Sequence, residues 1–206
     1  MKVQIVCALI IICVSNEVLV MIEIWELCRK LSNHERRALL RMVCNSKDGL
    51  NVGIAEEESN GLQQSGTSQY LGQLWKLGLI RRVRSGRYVN YYPDAENAHV
   101  LIQDVAVALQ ERFRSEDKDT TPNEDYLPVM RVMGHAMRAK VIGMLSREGT
   151  LSLDYLCDKT GLTAKSLARH LKPAIEIGLV EEIGDGSLKI NTPADPIAQL
   201  LIKAYS

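Results

Sequence analysis

Between residues 61 and 92 the sequence gathers side chains suited to one kind of chemistry. Gln64, Ser65, Thr67, Ser68, Gln69 and Gln73 carry amide and hydroxyl groups that complement the donors and acceptors on base edges in a DNA groove. Arg81, Arg82, Arg84 and Arg87 follow on two β-prone runs, and a guanidinium forks onto phosphate oxygens. The stretch from Gly61 to Tyr92 holds five basic residues, those four arginines and Lys76, and no acidic one. The whole chain balances 25 basic against 25 acidic residues, so any basic surface must be local, and this is where it lies. Arginines on a hairpin beside a polar helix suit double-stranded DNA as the partner. The plainer reading, a solvated hairpin with incidental arginines, has to explain the absent acids.

Other chemistries find little support. His34, His99, His135 and His170 are dispersed, and no H-E-x-x-H, G-x-S-x-G, phosphate-loop or dinucleotide fingerprint occurs, so neither an enzyme nor a cofactor is expected. Cys7, Cys13, Cys28, Cys44 and Cys157 form no C-x-x-C or C-x-C pair. An odd, scattered set reads as reduced thiols serving as small buried hydrophobes in a cytoplasmic protein, not as metal ligands.

The elements that must hold the polar and basic side chains follow from pattern. Hydrophobic residues are 46% and aromatics 5%, with a single Phe, which favours helical layers over β-sandwiches. Ser32 and Glu35 have capping-box spacing ahead of a helix with Leu39, Leu40, Met42 and Val43, ended by Lys47-Asp48-Gly49. A short helix around Val52 to Ser59 carries Glu56-Glu57-Glu58 toward water, and Asn60-Gly61 makes a turn. The next helix runs from about Gln64 to Leu77 and stops at Gly78. Leu79–Arg84 and Arg87–Tyr92 flank Ser85-Gly86 as a hairpin, Pro93 stops it, and Ala98 to Phe113 closes the domain with Val100, Leu101, Val105 and Leu109 on one face. Gly66 either permits close approach of DNA or marks a late helix start.

Laid on itself, the chain repeats. Gly61-Leu62, Leu71 and Gly78-Leu79-Ile80 recur as Gly161-Leu162, Leu171 and Gly178-Leu179-Val180, all at an offset of 100. Arg36-x-x-Leu39-Leu40-x-Met42-Val43 recurs as Arg138-x-x-Val141-Ile142-x-Met144-Leu145 at an offset of 102. The second copy predicts helices over Met130–Ser146, Ser152–Lys159 and Thr163–Ile177, a hairpin around Asp185-Gly186, and a last helix capped by Thr192 with Pro193 and Asp195 behind it. The expected fold is mainly α with small β-hairpin wings: two winged helix-turn-helix domains in tandem. Residues 21–114 form the first, 115–127 an acidic linker reading SEDKDTTPNED at its core, and 128–206 the second. Residues 1–20 are an apolar extension; Val3 to Val14 is too short to span a bilayer. With one basic residue ahead of it and no clean cleavage site, that run is expected to precede a start at Met21 or to serve as a packing element, rather than to direct secretion or membrane tethering.

From about residue 25 onward the chain resembles the ArsR-type winged-helix regulators. The resemblance rests on Leu62, Gln64, Ser65, Ser68, Gln69, Tyr70 and Leu71, then Leu74, Gly78, Leu79, Ile80, Arg81, Arg82, Gly86, Arg87 and Tyr91. In the second copy Leu162, Thr163, Arg169, His170, Leu171, Gly178, Leu179 and Val180 match. It implies a bacterial or archaeal transcription factor with the Gln64–Leu77 helix in the major groove and the hairpin near the minor groove. Family members often sense metals through clustered cysteines; Cys157 stands near that position beside Ser152 and Asp154 with no second thiol, so no metal is expected. They are commonly single-domain homodimers, whereas two copies here could pair as a pseudo-dimer within one chain or as a homodimer.

The copies differ in charge. Gly161 to Thr192 sets Lys165, Arg169, Lys172 and Lys189 against Glu176, Glu181, Glu182 and Asp185, a balance of zero. Ala164 and Ala168 replace polar positions, and Pro173 is expected to bend the helix. Lys165, Arg169, His170 and Lys172 keep its first half basic, which fits either weak DNA contact or a dimerisation or effector role. The alternative for the whole chain is a tandem winged-helix interaction module that does not read DNA.

Overall fold

A computed structural model describes residues 24–58, 64–94, 100–116, 122–184 and 186–205. The apolar extension, the Asn60-Gly61 turn and the middle of the acidic linker lie outside the described residues. The chain divides into two compact units, Arg29–Leu127 and Pro128–Ser206, the latter joined by residues 24–28. Helix α1 is described over residues 24–31.

In the Arg29–Leu127 unit, α2 (His34–Asn45) buries Leu39, Leu40, Val43 and Cys44. Its cap is Asn33, whose Oδ1 accepts from the Arg36 N–H at 2.9 Å, not Ser32 as the capping-box spacing suggested. Both residues are good caps, and the helix starts one position later than the S-x-x-E signal places it. Strand β1 (Leu50–Asn51) leads into α3 (Val52–Glu58), where Asn51 Oδ1 accepts from Ile54 N–H at 3.0 Å. Helix α4 (Gln64–Lys76) buries Thr67, Leu71 and Leu74, spaced four and three apart, on one side. Because α4 already includes Gln64, Gly66 does not mark a late start.

Gly78, at φ 74°, turns the chain out of α4: its N–H reaches Trp75 O at 2.9 Å and Leu79 N–H reaches Leu74 O at 3.1 Å. Strands β2 (Ile80–Ser85) and β3 (Tyr88–Pro93) then pair from Ile80↔Pro93 to Ser85↔Tyr88, leaving Gly86-Arg87 as the two turn residues. The turn thus falls one residue later than Ser85-Gly86, and Pro93 ends the pairing as its last member. The sheet order is β1-β3-β2. Helix α5 (Val100–Ser115) buries Ile102, Val105, Ala106, Leu109 and Phe113, one helical stripe.

The flanks of the acidic linker are bound to α2. Arg37, 3% exposed at its side chain, donates from Nε and Nη2 to the two carboxylate oxygens of Glu124 at 2.9 and 2.8 Å. Its Nη1 donates to Leu31 O at 2.8 Å, so each nitrogen of this buried cation makes a hydrogen bond. Arg41 lies 3.1 Å from Glu116 and rests on the Phe113 ring. Burial opposes the Glu124 charge, but hydrogen bonds from Arg37 and the charges of Arg37 and Arg41 outweigh it and hold its pKa below the usual value.

In the second unit the predicted Met130–Ser146 helix is two helices, α6 (Leu127–Met133) and α7 (Ala136–Glu148), broken at Gly134-His135. Strand β4 (Leu151–Ser152) and α8 (Leu153–Thr160) follow, with Ser152 Oγ capping α8 through Tyr155 N–H and Gly161 closing it at φ 70°. Thr163 caps α9 (Ala164–Glu176), and the helix continues through Pro173. Strands β5 (Val180–Ile183) and β6 (Ser187–Ile190) complete a sheet of order β4-β6-β5. The last helix, α10 (Pro196–Lys203), is capped by Asp195, which accepts from Ile197 and Ala198 N–H at 2.8 and 3.1 Å. Cap and proline are therefore Asp195 and Pro196 instead of Thr192 and Pro193, since Pro196 needs no partner for an N–H at the first helical position.

The two units share local construction. Gly178, at φ 70°, repeats the Gly78 turn, with Leu179 N–H on Ala174 O at 2.9 Å. Arg36 Nη1 donates to Lys30 O at 3.0 Å, and Arg138 Nε to Val132 O at 2.8 Å, each reaching six residues back. Asp94 N–H bonds Leu79 O as Asn191 N–H bonds Leu179 O, at 3.2 and 2.9 Å.

Candidate nucleic-acid interface

The outward side of α4 and the β2–β3 hairpin carry most of the residues singled out between positions 61 and 92. Ser68 and Gln69 are exposed on α4, and Gln64 and Ser65 occupy its first turn. Gln73 is half-buried and accepts from Lys30 Nζ at 3.2 Å, so one end of its amide is engaged within the fold. Thr67 belongs elsewhere: it is fully buried, on the stripe shared with Leu71 and Leu74. Its hydroxyl is withdrawn from any reading face, because a residue four before a core leucine shares that leucine's side of the helix.

Arg81, Arg82, Arg84 and Arg87 are all exposed. Three of them lie over aromatic rings. Arg82 sits 3.7 Å from the centroid of Trp75 on α4, Arg81 4.9 Å from Tyr92, and Arg87 5.3 Å from Tyr88 at the hairpin tip. Arg84 Nε donates to Gly86 O at 3.3 Å. Among the described residues none of the four is ion-paired, whereas Arg37 and Arg41 in the same unit are both spent on carboxylates. A guanidinium held over a ring by this contact has spent none of its N–H donors on a carboxylate, and those donors are what a phosphate oxygen needs.

One of the rings is itself held. Tyr92 donates from its hydroxyl to Asp48 O at 3.0 Å and lies against Gly49, where a Cβ would come within 2.6 Å of the ring. Gly49 also has φ 82°, so the site excludes a side chain twice over. Trp75 and Tyr88 are among the exposed large hydrophobic residues, at 36% and 55%. The sequence pattern did not pick out Trp75 or Tyr92; the available signal was an aromatic three residues before the helix-ending glycine, with an arginine seven residues on.

The second unit presents a different surface on a similar frame. Lys165 and Arg169 are exposed on α9, and Lys172 is exposed with Glu176 at 3.7 Å. His170 is half-buried with its ring 5.0 Å from His135. Burial, then the charges of Arg138 and His170, lower the His135 pKa. On the hairpin, Glu181 pairs with Lys189 at 3.3 Å and accepts from Asn191 at 3.3 Å, which lowers its pKa.

Cys28 and Cys44 are buried, and burial raises the Cys44 pKa to about 12. Cys157 is half-buried. Among the described residues no three His, Cys, Asp or Glu side chains converge as metal ligands, and no helix is long and apolar enough to cross a membrane.

The chain is 36% identical over 73 residues to a Halobacterium salinarum protein provisionally named as the arsenical resistance operon repressor ArsR2. The match spans 35% of this chain and 60% of that relative's length. Over that stretch the chain is similar to an ArsR-type repressor. No protein-family model and no solved structure matches it.

Proposed function

We propose that the protein is a sequence-specific, DNA-binding transcriptional regulator built from two winged helix-turn-helix domains in tandem, residues 21–114 and 128–206. Helix α4 reads the major groove and the wing of residues 79–92 lies on the backbone or in the minor groove. The observation that carries this is the wing itself: four exposed arginines, none ion-paired among the described residues and three laid over aromatic rings. The repressor name of the Halobacterium relative supports the same reading. The repeated Gly78 and Gly178 turns, the parallel Arg36 and Arg138 bonds and the two equivalent sheet orders support the duplication. In this reading Lys165, Arg169, His170 and Lys172 make a weaker, secondary contact, and the working location is the cytoplasm.

A rival is favoured by one observation, the acid-bearing second hairpin with Ile175 and Ile177 exposed beside it: a scaffold that binds protein and never reads DNA. Binding of the full chain to a labelled random duplex, titrated with salt, separates the two. DNA binding predicts tight association at low salt that falls steeply, by about one unit of log–log slope per phosphate contacted. No association at low salt rejects the DNA reading.

A further inference from the structure

We infer that Trp75 is a positioning residue that locks the wing to the reading helix and presents Arg82 as a preset clamp for a DNA phosphate; this rests on the DNA reading above. Trp75 is the last aromatic of α4, and Arg82 is the third residue of β2, across the Gly78 turn. The guanidinium stands 3.7 Å from the indole centroid, the shortest of the ring–cation distances on the wing. Trp75 is 36% exposed and stands outside the buried α4 stripe of Thr67, Leu71 and Leu74. Arg82 is exposed and has no hydrogen bond or ion pair among the described residues, so the ring contact holds the cation while its donors stay unspent within the fold.

The second copy supplies an internal control. At the offset of 100, Trp75 corresponds to Ile175 and Arg82 to Glu182, so ring and cation are both absent there. The turn between them is kept, with Gly178 at φ 70° and the same backbone bonds. The turn therefore forms without the stack. What the stack adds is a fixed relation between the helix that reads bases and the strand that reaches the backbone, with the cation placed between them. A lysine at position 82 would keep the charge but lose both the planar stack and the bidentate fork.

The test is a double-mutant cycle on duplex binding at fixed salt, using the full chain with Trp75→Ala, Arg82→Ala and both together. Trp75→Phe and Arg82→Lys accompany it, and melting is followed for each variant. Trp75→Ala should weaken binding by about two- to five-fold, the size of an exposed cation–ring contact, with little change in melting. Trp75→Phe should restore most of it, Arg82→Lys should resemble Arg82→Ala more than wild type, and the double variant should lose less than the product of the single losses. Multiplicative losses, or a Trp75→Ala protein that binds as wild type does, would overturn the inference while leaving DNA binding intact. If wild type binds no duplex, the DNA reading fails first and the inference with it.

Discussion

The two hairpins differ where their frames agree. Each follows a glycine turn at the end of a helix and pairs into a three-stranded sheet of equivalent order. The first has six-residue strands and four exposed arginines; the second has four-residue strands, and its Glu181 is neutralised by Lys189. A similar contrast runs through α2 and α7: Arg37, tied to Glu124, stands where the second unit, at the offset of 102, has the buried Ala139. The frame thus depends on a few positions (a leucine stripe, a left-handed glycine, an arginine reaching six residues back), and the surface is free to diverge around them.

The largest expected effect breaks this comparison from inside. Glu124→Ala strands a buried guanidinium and should cost about 3 kcal/mol of stability. Hydrogen exchange should report the loss in α2 and not in α7, which has no such pair among the described residues; equal loss in both would show the units to be one cooperative body. The pH dependence has a definite sign. A folded-state pKa below the unfolded value lends stability that is present above the ordinary carboxylate range and lost as pH falls through the folded value. Glu124→Gln should therefore flatten the acid limb of a melting-temperature profile, and an unchanged limb would remove Glu124 from the account.

Next in size, replacing Arg81, Arg82, Arg84 and Arg87 with Ala should weaken duplex binding at least about tenfold and make the salt dependence shallower by several units of slope. Unchanged affinity would reject the wing as the contact surface. Gly78→Ala and Gly178→Ala should each cost about 1–2 kcal/mol, because each forces a side chain into the left-handed region. Clearly unequal costs, measured by denaturant melts, would break the parity of the two turns. The smallest effect sharpens the comparison: Glu181→Arg with Glu182→Arg should raise duplex affinity a few-fold if the second hairpin lies near phosphate. No change would place that hairpin away from DNA.

Local features were legible in the sequence, and distant ones were not. The longer helices of the Arg29–Leu127 unit, both hairpins, both glycine turns and the outward arginines follow from periodicity and turn chemistry, which act over a few residues. Helix α1 and the two-residue strands β1 and β4 were not anticipated. The break at Gly134-His135 was missed because the apolar pattern of Met130, Val132, Met133 and Val141 runs straight through it. Thr67 was placed among the readers by residue type, although its spacing to Leu71 and Leu74 already put it inside. Arg37 and Glu124 meet across 87 residues, and no local rule pairs them. The stack of Arg82 on Trp75 depends on how a turn folds a strand back beside its helix, which spacing alone leaves open.

Gly49 shows how far the wing's wiring extends. The Tyr92 ring is packed onto that glycine on one side and carries Arg81 nearby. A methyl group at position 49 has to move the ring, and the ring takes the cation with it. On the proposed DNA reading, a screen for chains that accumulate normally but no longer bind duplex should therefore return changes at this uncharged position beside changes at the arginines themselves.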